Sequence, residues 1–227
     1  MISKKYLSND FKNAVKDYYY LLENDYSKKA TIKLIGDRYR LTGLERSVLL
    51  RGIIKKEKAL ERKNKLLKEF EINNKLLVID CYNVLMTVIS YLSGKFFYIA
   101  NDGFLRDAGE FHGKIGKSEG ISKALTLLFK YLSNNKMERI EMYLDSPVTN
   151  SKELSKNICM LFDKYKIIGN SYVVKSADYY LIHSKDGICS TSDSTIIDHK
   201  DKIFDLSYFI LKFFFNPDFF NLDRFLA

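Results

Sequence analysis

The sequence predicts an α/β protein with an open, mostly parallel sheet covered by helices, preceded by a small all-α N-terminal module. From residue 75 onward, apolar runs of strand length alternate with segments of helical periodicity, which is typical of a parallel sheet buried on both faces. The first 74 residues show helical spacing and carry 18 basic and 10 acidic side chains. The remainder carries 19 and 18, so a cationic helical part precedes a nearly neutral α/β part.

Three short helices are predicted in the first 52 residues. Apolar side chains recur at three- and four-residue spacing from Phe11 onward, which is the pattern of one buried helix face. Gly36 is predicted to end the second helix, because glycine is common just beyond helix ends. Thr42 and Glu45 have the spacing of a capping box at the start of the third helix.

These patterns predict three regions along the chain. Residues 1–54 form the basic helical module, residues 55–74 a charged connecting helix, and residues 75–227 the α/β domain. Within the α/β domain, strands are predicted near residues 76–80, 96–100, 140–145, 171–174, 187–193 and 202–205, with helices between them.

The predicted strands repeatedly end on an aspartate. Asp80, Asp145 and Asp193 each close a strand, and Asp178 follows another strand after three residues. The carboxyl ends of neighbouring parallel strands meet in one crevice, so we expect these carboxylates to converge there. Converging carboxylates repel one another unless a cation such as Mg²⁺ or Mn²⁺ lies among them. The alternative is that each aspartate caps the following helix, which is the interpretation we favour for Asp205.

Several classes of protein are excluded by simple counts. Three cysteines without a C-x-x-C pair supply neither a disulfide framework nor a four-thiolate zinc site, which favours a reducing, cytoplasmic compartment. The glycine-rich motifs that bind nucleotide phosphates are missing from the sequence. The N-terminus lacks the apolar region of a secretion signal, and no apolar run reaches the roughly 20 residues needed to span a bilayer.

Two segments resemble known nuclease domains. The sequence LVIDCYNVL at residues 77–85 resembles the opening of PIN-like and NYN-type domains, and STSDS at residues 190–194 is similar to their late strand. The whole chain resembles a two-domain family in which domain of unknown function 434 precedes a PIN-like domain, through GDRYRL at residues 36–41 and ERSVLLR at residues 45–51. Further matches lie at residues 102–107 and 144–151, whereas Asn101 stands where we expected an aspartate.

The resemblance implies a PIN-like sheet and a metal-dependent phosphodiesterase acting on RNA, with DNA as the second choice. It implies that Asp80, Asp145 and Asp193 are catalytic and hold Mg²⁺ or Mn²⁺, with Asp178 or Asp107 completing the set. The residues expected to hold the substrate are Asn83, Arg106, Ser192, Arg38, Arg40, Arg46 and Arg51.

A non-catalytic nucleic-acid-binding protein is the alternative interpretation. Helices near residues 27–36 and 42–52 would then form a helix-turn-helix-like pair, and the α/β domain would be a degenerate PIN-like domain or a dimerisation domain. In the plainest interpretation, the four N-terminal arginines pair with Asp37, Glu45 and acidic groups of the second domain. RNA is the expected partner of the enzyme, a membrane is not, and a homodimer is left open.

Overall fold

The computed structural model describes residues 7–109, 117–184 and 186–226, and these form two compact units. The first unit takes in the described residues of Met1–Asn64, Ser93–His112 and Asp218–Ala227. The second takes in those of Lys65–Leu92 and Gly113–Pro217. The chain therefore leaves the first unit twice and returns to it twice, whereas the sequence predicted a single division near residue 75.

Helices at the N-terminal end confirm the predicted helical region. Thr42 and Glu45 form the predicted capping box, in which the Glu45 backbone N–H donates to the Thr42 hydroxyl and Glu45 Oε2 accepts from the Thr42 backbone N–H. Gly36 lies inside the second helix rather than at its end. Glycine suits this position because the Arg46 guanidinium occupies the space that a side chain at residue 36 would fill. The four helices are α1 (Phe11–Glu23), α2 (Lys28–Arg38), α3 (Gly43–Gly52) and α4 (Lys56–Lys65).

A small three-stranded sheet completes the first unit, which is therefore not all-α. Strand β2 (Phe97–Ile99) pairs antiparallel with β3 (Leu105–Asp107) and parallel with β7 (Phe220–Asn221). The sequence predicted β2 as part of the large parallel sheet. The difference has a physical cause, because Tyr98 and Leu222 are fully buried in the same apolar cluster as the N-terminal helices.

The second unit is built on a four-stranded parallel sheet. Its strands are β1 (Leu76–Asp80), β4 (Arg139–Asp145), β5 (Gly169–Val174) and β6 (Ile188–Ser190), in the spatial order β5-β4-β1-β6. Strand β1 has the predicted bounds. The predicted strand at residues 202–205 is reduced to isolated bridges that Ile203 makes.

Helices cover both faces of this sheet. On one face, Leu77 and Ile79 are fully buried in a cluster that also contains Val88, Leu128 and Ile158. On the other face, the short helix α8 packs against β1 and β4. The helices of the unit are α5 (Cys81–Leu92), α6 (Lys117–Ser133), α7 (Ser151–Tyr165), α8 (Ala177–His183), α9 (Ser194–His199) and α10 (Leu206–Phe215).

The strand order creates a switch point at the carboxyl ends of β1 and β6. After β1 the sheet grows through β4 to β5 on one side, and β6 then returns to the other side of β1. In open parallel sheets, crevices for ligands form at such points.

In residues 7–109, 117–184 and 186–226, no helix is both long and apolar enough to cross a bilayer.

Candidate functional site

Asp80 lies at the switch point and is held by two hydrogen bonds. The residue is buried at the end of β1. Its Oδ1 accepts from the backbone N–H of Asn83 at 3.2 Å, and its Oδ2 accepts from the Thr191 hydroxyl at 3.0 Å. Thr191 Oγ1 in turn accepts from the backbone N–H of Asp193 at 3.1 Å. The carboxylate is therefore fixed in orientation between the ends of two neighbouring strands.

Asn83 and Ser192, both predicted to position a ligand, are hydrogen-bonded to each other. Asn83 Oδ1 accepts from the backbone N–H of Ser192 at 2.8 Å and from its hydroxyl at 3.0 Å. The asparagine in the first turn of α5 therefore ties the segment after β6 to the end of β1. This contact gives the strand–Asp–x–x–Asn pattern a structural role.

Asp145 ends β4, whereas Asp193 lies three residues beyond β6 rather than at its end as predicted; each accepts a hydrogen bond from the first turn of a helix through one carboxylate oxygen. Asp145 Oδ1 accepts from the backbone N–H of Ala177 at 2.7 Å, and Asp193 Oδ1 accepts from that of Thr195 at 2.7 Å. Among the described residues, Oδ2 of neither aspartate has a hydrogen-bond donor. Asp205 caps α10, as predicted. The capping interpretation is correct for Asp193, which is the N-cap of α9. It is wrong for Asp145, which bonds α8 rather than the following helix α7 and is the N-cap of neither. The other oxygen of each aspartate remains for another ligand.

Four carboxylates of the second unit interact electrostatically. Burial raises the pKa of Asp80 to about 7; the charges of Asp178 and Asp145 add to the rise, and its two hydrogen bonds oppose it. Burial also raises the pKa of Asp178, with further contributions from Asp193 and Asp145. Carboxylates from the ends of separate strands therefore disfavour one another's ionisation.

The donor chemistry of this group suits a hard divalent cation. Carboxylate oxygens are preferred ligands of Mg²⁺, and a bound cation would offset the burial that raises the pKa of Asp80. Within the described ranges, no three His, Cys, Asp or Glu side chains are arranged to hold one ion together. Mg²⁺ typically takes one or two carboxylates and fills its other positions with water and phosphate. The residues therefore fit a site with fewer carboxylate ligands than predicted.

Asp107 and Arg106 have different roles from those predicted. Asp107 lies in the first unit, where its Oδ1 is 3.4 Å from Nη1 of Arg51. Arg106 is buried, and its Nη2 lies 2.7 Å from Asp102 Oδ2, which is also 3.0 Å from Arg62 Nη1. Arg106 thus belongs to a buried ion cluster of the first unit, because a buried carboxylate requires charged partners. Its predicted contact with substrate is replaced by this internal pairing.

Asn101 explains the missing carboxylate of the expected motif. Its Nδ2 donates to the carbonyl of Ile54 at 2.7 Å, and its Oδ1 accepts from the N–H of the same residue at 3.1 Å. An ionised aspartate could not donate the first of these bonds. The amide therefore fits this buried position, and a carboxylate does not.

The N-terminal arginines divide into two kinds. Arg46 donates through Nε to the Leu41 carbonyl at 3.1 Å, and its Nη2 lies 2.9 Å from Asp37 Oδ1, as the plainest interpretation predicted. Arg38 and Arg40 are exposed. Arg46 therefore stabilises the first unit, Arg38 lies 3.7 Å from Asp17 in an exposed ion pair, and Arg40 offers positive charge to solvent.

Thr191 is the site residue that sequence reasoning missed. Its hydroxyl bridges Asp80 and the backbone of Asp193, although it lies between residues that were singled out. The sequence signal that could have identified Thr191 is a hydroxyl side chain that directly follows the buried strand β6 and precedes Asp193 by two residues.

Comparison with known proteins places the chain in a family. Residues 69–209 match the family described as Domain of unknown function (DUF5616), and residues 10–65 match Protein of unknown function (DUF434). The chain is 31% identical over 186 residues to "Uncharacterized protein MJ0935" of Methanocaldococcus jannaschii, covering 81% of this chain and 87% of that protein. It therefore belongs to the DUF5616 family and carries a DUF434 region before it. The DUF434 part of the expected resemblance is confirmed, and no solved structure matches.

Proposed function

We propose that the second unit is a PIN-like, divalent-cation-dependent phosphodiesterase that cleaves RNA. The observation that carries this proposal is the coupling of Asp80 to Asp145 and Asp178 at the carboxyl edge of the parallel sheet. A purely structural network would not need several carboxylates that raise one another's pKa, because each such interaction disfavours the ionised form. A cation would remove this penalty.

The residues around Asp80 would prepare the site for such an ion. Asn83 and Thr191 fix the two oxygens of Asp80, and each oxygen retains a lone pair for a ligand. Asp145 or Asp193 would supply a second carboxylate ligand through the oxygen that accepts no hydrogen bond from a helix N–H. When bound, Mg²⁺ or Mn²⁺ would lower the pKa of a water nucleophile and stabilise charge on the phosphate.

The charge distribution supports nucleic acid as the substrate class. The first 74 residues contain most of the chain's positive excess, and Arg38 and Arg40 are exposed there. Lysine and arginine contacts with phosphates are independent of sequence and weaken as salt rises. We therefore expect binding that is strong at low salt and has little base preference.

One observation favours the alternative of a non-catalytic nucleic-acid-binding protein. Asp145 and Asp193 each accept a backbone N–H from the first turn of a helix, so a structural role accounts for one oxygen of each. In that case Asp80 would be a buried acid held neutral near pH 7. The two candidates differ in whether the carboxylates bind a cation.

The test of the proposed function is cleavage of a labelled single-stranded RNA by the full chain in Mn²⁺ and in EDTA. We expect cleavage in Mn²⁺ only, with a rate reduced by about 100-fold or more in Asp80→Asn, a loss of the size caused by removing one electrostatic contact in an active site. Asp205→Asn is the matched control, because Asp205 is also a buried helix cap. Equal rates for wild type and Asp80→Asn, or no Mn²⁺-dependent cleavage by the wild type, would favour the binding protein.

A further inference from the structure

Four tyrosines form a continuous aromatic surface on the second unit, here called the tyrosine cluster: Tyr143, Tyr172, Tyr179 and Tyr180. The rings of Tyr143 and Tyr172, which are register partners on β4 and β5, have centroids 5.3 Å apart and planes 28° apart. The rings of Tyr143 and Tyr180 are 5.7 Å apart at 23°. Tyr179 meets Tyr180 edge-on at 6.2 Å.

Much of this surface is open to solvent. The exposed fractions are 60% for Tyr179, 49% for Tyr180 and 37% for Tyr172. Single exposed aromatic residues are common, but a contiguous exposed patch of them marks an interaction surface. The exposed parts of the rings are apolar and unsaturated, so the patch suits a ligand with flat, unsaturated groups.

The tyrosine cluster borders the candidate site. Tyr143 lies two residues before Asp145 on β4, which places the two on the same face of the strand about 7 Å apart. Asp145 also accepts a hydrogen bond from Ala177, the first residue of α8, and Tyr179 and Tyr180 lie in the same helix. A ligand that covers the rings would therefore reach the carboxylate edge of the sheet.

We propose that the tyrosine cluster binds single-stranded nucleic acid by stacking bases on its rings, an inference that rests on the proposed function for the identity of its ligand. The carboxylates repel the phosphates of an incoming strand, so a ligand at this edge needs an attraction that does not depend on charge. Stacking of bases on aromatic side chains supplies it and tolerates any sequence. Bases in a duplex are already stacked on one another, so the surface selects single strands.

Positive charge next to the tyrosine cluster complements a nucleic-acid backbone. Lys175 lies between β5 and α8, is exposed, and makes no ion pair within the described part of the chain. His183 stacks on the ring of Tyr179 at 4.0 Å between centroids. An exposed lysine beside aromatic rings is a combination found in single-strand grooves.

The experiment measures binding of a fluorescein-labelled 12-nucleotide single-stranded RNA to the full chain in EDTA, where no cation-dependent cleavage occurs. We expect the double variant Tyr179→Leu/Tyr180→Leu to bind about 10-fold or more weakly. Phe213→Leu is the matched control, since Phe213 is a 54% exposed ring on α10 of the same unit, and we expect its affinity to stay within about twofold. Circular dichroism confirms that each variant is folded.

Three further measurements separate stacking from folding. Tyr179→Phe/Tyr180→Phe keeps the rings and should retain wild-type affinity, even if the leucine variant is unstable. An RNA that carries 2-aminopurine should lose fluorescence on binding to wild type and to the phenylalanine variant, because stacking quenches this base. Duplex RNA of equal length should bind the wild type and the leucine variant equally.

The outcomes distinguish this inference from the proposed function. Loss of single-strand affinity in the leucine variant, without Mn²⁺-dependent cleavage by the wild type, would support the inference and contradict the nuclease. Cleavage by the wild type with unchanged affinity in the leucine variant would overturn the inference alone. Self-association that the leucine substitutions abolish, with unchanged RNA affinity, would also overturn it, because the surface would then bind a second copy of the chain.

Discussion

The hydroxyl of Thr191 donates a hydrogen bond to Oδ2 of Asp80 at 3.0 Å, although the two residues are 111 positions apart in the chain. Backbone pairing of β1 with β6 ends at Ile79 and Ser190, so this side-chain bond continues the connection beyond the last paired residues. It fixes the buried carboxylate at the switch point of the sheet. The expected effects of changing it follow from the charge of Asp80.

Replacing Thr191 with valine should destabilise the chain more at high pH than at low pH. At pH 8.5 the ionised Asp80 loses a hydrogen bond that stabilises its charge, at a cost of about 2 kcal/mol in the free energy of unfolding. At pH 5 the carboxyl is protonated and the cost should be about half of that. Urea denaturation at the two pH values measures the difference.

Thr126→Val is the control for this substitution. The Thr126 hydroxyl donates to the Ser122 carbonyl on the exposed side of α6, far in sequence from any carboxylate discussed above. Its effect on stability should be the same at both pH values. A pH-independent effect of Thr191→Val would show that the hydroxyl does not stabilise the charge of Asp80.

The stability of the chain without a cation should fall as pH rises from about 4 to about 7. Burial raises the pKa of Asp80 from 3.8 to about 7, so in this interval the folded chain holds a proton that the unfolded chain has lost. Stability decreases wherever the folded state binds more protons, here by up to roughly 4 kcal/mol. Urea denaturation in EDTA across this range measures the slope.

Asp80→Asn should remove most of that pH dependence, because asparagine does not titrate. Addition of Mn²⁺ at pH 8 should restore stability to the wild type and leave the variant unchanged. An equally steep slope in the variant would assign the pH dependence to other groups, such as Asp178, whose pKa burial also raises.

Two substitutions at Asp193 should separate its capping role from cation binding. In EDTA, Asp193→Ala should cost about 1 kcal/mol by removing the acceptor for the Thr195 N–H, whereas Asp193→Asn keeps an acceptor and should cost less than half of that. In Mn²⁺ the melting temperature of the wild type should rise more than that of either variant. An equal rise in Asp193→Asn would leave Asp193 as a cap only.

Substitution of two arginines of the first unit should affect different properties, stability for Arg46 and RNA binding for Arg40. Arg46→Gln should lower the free energy of unfolding by about 1–2 kcal/mol, mostly by losing its bond to the Leu41 carbonyl, because the partly exposed ion pair with Asp37 contributes little. Arg40→Gln should leave stability unchanged and reduce the salt dependence of RNA binding by about one released ion. Anisotropy titrations at several salt concentrations, together with urea curves, measure both effects.

Many elements of both units were predictable from local patterns. The run Leu76–Asp80 is apolar and ends in a carboxylate, so its bounds as a strand follow from the sequence. The capping box of Thr42 and Glu45 likewise marks the start of α3 within three residues of sequence. Such features depend on neighbours in the chain, which a single sequence displays.

The pairing of distant segments was not predictable. The apolar residues near Tyr98 indicate a strand, but their alternation does not say which sheet the strand joins. The sheet is decided by burial against Leu222 and the N-terminal helices, all of which lie far from Tyr98 in the chain. For the same reason the predicted division at residue 75 missed the two returns of the chain to the first unit.

The candidate site was predicted in composition but not in detail. Strand-end position was enough to select Asp80, Asp145 and Asp193, because parallel strands share an edge. The sequence could not show that Asp145 receives a hydrogen bond from Ala177, 32 residues later, or that Arg106 is neutralised by Asp102 inside the other unit. Each of these roles depends on which partner the fold brings near.

Calorimetric titration of Mn²⁺ into the full chain at pH 8 tests most directly whether the carboxylate edge is a cation site. If the carboxylate edge is a cation site, we predict saturable Mn²⁺ binding by the wild type and at least about tenfold weaker binding by Asp80→Asn. The capping control Asp205→Asn should bind Mn²⁺ as the wild type does. Equal Mn²⁺ affinity in the wild type and Asp80→Asn, or no saturable binding by the wild type, would contradict this prediction.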